Sequence, residues 1–97
     1  MKIFAVIRTR GSAWQLSLPL EQQPGWKTHA AFMDTLVSHG FVLLGGPLEG
    51  TPDVLLIARA ASPEEITTRL KDDPWTAGNL LRTAQITPWI LRLGELP

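Results

Sequence analysis

The chain has 97 residues, 44% of them apolar and 19% charged, enough for one buried core and no second. Nine basic residues cancel nine acidic ones, so no positive field favours nucleic acid or an anionic membrane surface. Cysteine is absent, which removes disulfides, thiolate nucleophiles and cysteine-based zinc sites and fits a reducing, cytoplasmic setting.

Lys2 to Arg8 reads as a strand, with Ile3, Ala5 and Ile7 on one face and Phe4 and Val6 on the other. Both faces are apolar. The run meets charge at Arg8 and has no small-residue cleavage site, so it reads as a strand and not as a signal peptide. No stretch reaches the length of a membrane span. Residues 10 to 25 carry Gly11, Pro19, Pro24 and Gly25 and read as a long loop. Trp14, Leu16, Leu18 and Leu20 alternate within it. That alternation fits a short extra strand, apolar residues tucked onto the core, or a lid over a pocket.

Trp26 to His39 has helical spacing, with Trp26, Ala30, Met33 and Val37 in one row and His29, Phe32 and Leu36 in the next. His39 followed by Gly40 is a helix stop, and the dipole alone accounts for His39. Phe41 to Gly46 and Val54 to Arg59 read as strands apolar on both faces, joined by a short turn that implies an antiparallel hairpin. Ser62-Pro63-Glu64-Glu65 opens a helix through a capping box, ending near Lys71. Asp73-Pro74-Trp75-Thr76 opens a second, short helical turn. Leu80 to Leu93 reads as the last strand, with Pro88 confining it to an edge. Gly94 to Pro97 reads as a loose tail.

The order β-α-β-β-α-β, with right-handed crossovers, interleaves the strands into one antiparallel sheet of order 4-1-3-2. The expected fold is therefore a ferredoxin-like α+β domain. Two helices cover one face of such a sheet. Strands one, two and three are apolar on both, and each large side chain left in water costs about 1.5–3 kcal/mol. The second face is expected to be covered by another copy of the chain, in a two-fold homodimer packed sheet to sheet.

Nucleotide-binding and nucleophile-elbow motifs are missing, and two histidines without cysteine do not space a metal site. His29 and Asp73 remain. The fold brings the first turn of helix one and the end of helix two towards the same end of strand one. A carboxylate on one imidazole nitrogen fixes the tautomer and raises the basicity of the other. Each residue also has a structural reading. Asp73 before Pro74 is a natural N-cap, with Thr76 as its backbone donor, and a lone histidine on a helix is more often structural. Trp26, Trp75 and Trp89 are more often core, and Gly46-Pro47 more often a turn.

The linked set His29-Ala30-Ala31-Phe32-Met33, His39-Gly40-Phe41-Val42-Leu43-Leu44-Gly45-Gly46-Pro47-Leu48, Asp73-Pro74-Trp75-Thr76-Ala77-Gly78 and Ile86-Thr87-Pro88-Trp89 resembles the YciI-like (YCII-related) family over residues 26–92. The resemblance implies a dimeric α/β barrel of ferredoxin-like subunits and a His–Asp pair as active site, here His29 and Asp73. The candidate pocket wall is Gly46, Pro47 and Trp75, with Trp14 from the long loop, which has no counterpart in the family's pattern. Its superfamily includes isomerases and a dehydrochlorinase of a chlorinated hydroxyhydroquinone. The family's arginine shortly before the histidine is replaced here by Trp26-Lys27-Thr28.

Two functions lead, with haem or oxygen chemistry, as in other barrels of this type, a weaker third. One is a small-molecule enzyme moving a proton through His29 and Asp73 on a small cyclic metabolite, as an isomerase, lyase or dehydrohalogenase, without metal or cofactor. The other is a non-catalytic dimer that binds a small ligand in the same pocket.

Overall fold

The computed structural model describes residues 1–96. Its elements are β1 (Lys2–Arg10), α1 (Trp26–Ser38), β2 (Val42–Pro47), β3 (Asp53–Ala60), α2 (Pro63–Leu70), α3 (Pro74–Ala77) and β4 (Leu81–Pro88), with one 3-10 turn at Leu20–Gln22. The four strands form one antiparallel sheet in the order β2-β3-β1-β4. Read from its other edge this is the expected 4-1-3-2, and the architecture is ferredoxin-like α+β.

Strand alternation sorts the side chains. Phe4 and Val6 of β1 and Leu56 and Ala58 of β3 bury with Leu36 of α1 and Ile66 and Leu70 of α2 in the main core. The opposite face carries Ile3, Ala5 and Ile7, paired with Arg59, Ile57 and Leu55. Leu44 stands beside Ile57 and is 47% exposed. A smaller cluster sits at one end of the molecule, where Trp75, Leu80 and Leu81 pack with Trp14, Leu20 and Trp26.

Local signals set the helix ends. Ser62 accepts the Glu65 amide at 3.2 Å, and Glu65 reaches back to the Ala61 amide at 2.7 Å, one residue before the expected partner. Gly40 adopts the left-handed conformation after α1. The α1 N-cap is Gly25, also left-handed and without a side-chain cap.

Four expectations are corrected. The last strand ends at Pro88, not Leu93. Trp89 adds one bond, from its amide to the Ile3 carbonyl at 2.8 Å, and the chain then leaves the sheet. Trp89 is 42% exposed and is not core. The alternation at Trp14–Leu20 forms no strand, because the backbone there bonds within itself instead. One buried side chain organises this loop: Gln23 accepts the Gln15 amide at 3.0 Å and donates to the carbonyls of Gln15 and Leu18 at 2.7 and 2.9 Å. Finally, β1 runs to Arg10, two residues further than its apolar pattern. Of the tail, Pro97 lies outside the described residues.

Candidate active site

His29 lies in the first turn of α1, and its amide makes an early hydrogen bond of that helix, to the Gly25 carbonyl at 3.0 Å. Asp73 follows α2 and caps α3. Its side chain accepts the Trp75 amide at 2.9 Å, so the capping donor is Trp75 and not Thr76. The same carboxylate meets His29 Nδ1 at 2.9 and 3.0 Å through its two oxygens. Cap and histidine partner are thus one group serving both roles.

A third residue completes the arrangement. Arg8, on β1 in phase with Phe4 and Val6, is 1% exposed. It donates to Asp73 Oδ2 at 2.7 Å and to Thr76 Oγ1 at 2.5 Å. Thr76 in turn donates to the Leu70 carbonyl at 2.7 Å. Across the sheet the β1–β4 register slips between Ile7 and Arg8, so that Arg8 pairs with Thr83 and Ala84 is passed over. Bulges of this kind recur beside functional sites because they re-aim side chains. In the sequence Arg8 reads as the end of a strand; it is in phase with Phe4 and Val6, but charge at a strand end ordinarily marks exposure.

Asp73 is fully buried. Burial by itself pushes its carboxyl up. Hydrogen bonds from His29, the Trp75 amide and Arg8, with the attraction of the imidazole, outweigh burial and hold it below the usual carboxylate range. An anionic Asp73 can only accept, so the Nδ1 it faces carries a proton, and in the neutral ring the lone pair is on Nε2. Nε2 has no hydrogen-bond partner among the described residues.

Trp75 fixes the imidazole plane. The two rings stack at 3.9 Å between centroids and 7° between planes. Trp75 is itself held by its indole N–H, which donates to the Pro24 carbonyl at 2.7 Å, and by the edge of Trp14 at 5.5 Å. Arg10 lies over the outer ring face of Trp14 at 4.8 Å.

These groups surround a cavity of about 390 Å³, within the usual size range for small-molecule sites. Of the residues singled out in the sequence, His29, Gly46, Pro47, Trp75 and Trp14 line it, and Asp73 does not. Arg8, Trp26, Met33 and Leu56 line it too. Gly46 contributes backbone only. Neighbouring Gly45 faces Leu56, whose side chain would stand 2.7 Å from any added Cβ, so glycine keeps that wall flat. The long loop supplies both core packing and pocket wall, since Trp14 and Leu20 belong to the smaller cluster and also face the cavity. Among the described residues no three His, Cys, Asp or Glu side chains are grouped to hold a metal ion, and no helix is long and apolar enough to cross a membrane.

No protein-family model matches the chain, and no curated protein matches it in sequence. A solved structure does. It is 5-chloro-2-hydroxyhydroquinone dehydrochlorinase from Burkholderia phenoliruptrix AC1100 in complex with 2,5-dihydroxybenzoquinone, with a TM-score of 0.57, 22% identity and 95% of each chain covered. The two chains share a fold. At this identity, that is what the similarity establishes.

Proposed function

We propose that this chain is a YciI-like (YCII-related) acid/base enzyme acting on a small, cyclic, hydroxylated substrate. The observation that carries this reading is a histidine bound by Nδ1 to a buried carboxylate while its ring lines a substrate-sized cavity. The dehydrochlorinase with the same fold, solved with a dihydroxybenzoquinone, supports the substrate class. The cavity's three tryptophans suit a flat ring.

His29 Nε2 is the base in this reading. It takes a proton from a C–H or O–H of the bound ring and becomes imidazolium, which Asp73 stabilises through Nδ1. In an isomerisation the proton returns at another atom. In an elimination the electron pair left behind forms the new double bond, and the leaving group departs with its own bonding pair as an anion. Asp73 orients His29 and does not touch the substrate. Trp75 keeps the ring in plane, while Trp14 and the backbone at Gly46 and Pro47 bound the ligand. The domain works as a homodimer joined through the helix-free sheet face, and the lack of cysteine suits the cytoplasm.

Incubation in D2O with small lactones, hydroxyhydroquinones and their chlorinated forms tests this, with C–H exchange followed by NMR and chloride release by electrode. The wild type should turn over at least one of these compounds, and His29→Gln should lower the rate by about 10²–10⁴-fold, the usual worth of a positioned base. Turnover unchanged in His29→Gln overturns the reading. Saturable binding with no chemistry in either protein would instead make the chain a ligand-binding dimer.

A further inference from the structure

The base role of His29 requires a neutral ring at rest, and a buried carboxylate alone works against that. An unshared, buried Asp73 against an imidazole favours proton uptake, forming an ion pair with little exposure to water. The stacked indole of Trp75 also favours a cation. Something must oppose both.

Arg8 is placed to do so. Its guanidinium is permanently charged and sits on Asp73 Oδ2 at 2.7 Å, with both residues almost completely removed from solvent. The charges of Arg8 and Asp73 cancel. A proton on His29 would then leave one uncompensated positive charge in the buried cluster. The other charges lining the cavity are Arg10 on β1, Asp34 on α1 and Asp53 at the start of β3. Arg10 and Asp34 are exposed and Asp53 half-buried, so water screens them in a way it does not screen Arg8. The guanidinium is also not arranged for the fullest hydrogen bonding. Its Nε is sealed from solvent and has no partner, while both terminal nitrogens are committed to Asp73 and Thr76. The geometry favours charge placement over bond count.

We propose that Arg8 is a positioning residue that neutralises Asp73 and so keeps the His29 ring singly protonated, on Nδ1, ready to accept a proton at Nε2. This rests on the His–Asp reading above and adds a third member to it, one that acts on His29 through Asp73. It also sets the charge of the reacting pair. Once Nε2 has taken a proton, the cluster carries one positive charge and the substrate one negative charge, so the transferred state is balanced where the resting protonated state is not.

The test is imidazole ¹⁵N NMR at neutral pH, with the exposed His39 as internal reference. In the wild type the His29 nitrogens should show a neutral ring with its proton on Nδ1. In Arg8→Met and Arg8→Gln they should show a doubly protonated ring, and Arg8→Lys, which returns the charge, should restore the neutral one. Arg8→Gln keeps a donor towards Asp73, so it covers the case in which Arg8→Met does not fold, and the wild-type spectrum is informative by itself. A neutral Nδ1–H ring in the wild type that persists in both neutral variants overturns the role of Arg8 and leaves the His–Asp base standing. A wild-type ring that is already doubly protonated, or protonated on Nε2 alone, overturns both.

Discussion

Asp73 receives the Trp75 amide, Arg8 and His29 with two oxygens, so it has little acceptor capacity left for a proton of its own. Its pKa is lower in the folded than in the unfolded chain, and the sign follows. The stability it confers is complete above the unfolded carboxyl value of about 3.9 and drains away as pH falls through the folded value. Asp73→Asn keeps an acceptor for the cap but leaves the Arg8 charge buried and unpaired. Urea unfolding should show it weaker than wild type by about 3 kcal/mol at neutral pH, with the gap narrowing below about pH 4. A gap independent of pH would mean that the carboxylate's charge does not contribute. His29 and Asp73 were legible because each had a local reason to stand out: a histidine on a helix's apolar side and an Asp-Pro step. Arg8 was not, because charge at the end of an apolar strand normally marks exposure. Only the register of β1 against β3 and β4 shows that the inward row of Phe4 and Val6 continues through it.

At the level of elements, periodicity and caps showed what local chemistry decides. Every helix and strand was expected within a few residues, apart from the far end of β4. There pairing stops once the Trp89 amide has bonded the Ile3 carbonyl, and Ile90 and Leu93 stay exposed. The loop was illegible for a different reason. Its order comes from one glutamine bonding backbone groups up to eight residues away, and no periodicity records that. Gln23→Leu should strand an amide and two carbonyls, at about 1–3 kcal/mol for each group left buried. Hydrogen exchange should then quicken by at least about tenfold, one factor of RT ln 10, across residues 11–24, with α2 and β3 unchanged. Uniform acceleration over the whole chain would show instead that the loop unfolds only with the domain.

At the level of the whole molecule, Ile3, Ala5, Ile7, Leu55 and Leu44 share the helix-free face, each only partly covered or exposed. This is the surface on which the proposed dimer rests. Ile7→Glu places a charge at its centre without touching the main core, and sedimentation should then report a single chain where the wild type reports two. A wild type that sediments as one chain would remove the dimer. The borders of the sheet bear on the same question. Its outer strands, β2 and β4, end in Pro47 and Pro88, and a proline has no amide hydrogen to offer a newcomer strand. Both rims are thus poor templates for ribbon growth. Whatever joins this molecule is steered to lie flat across it rather than to lengthen it, so assembly can stop at a closed pair instead of running on into a fibre.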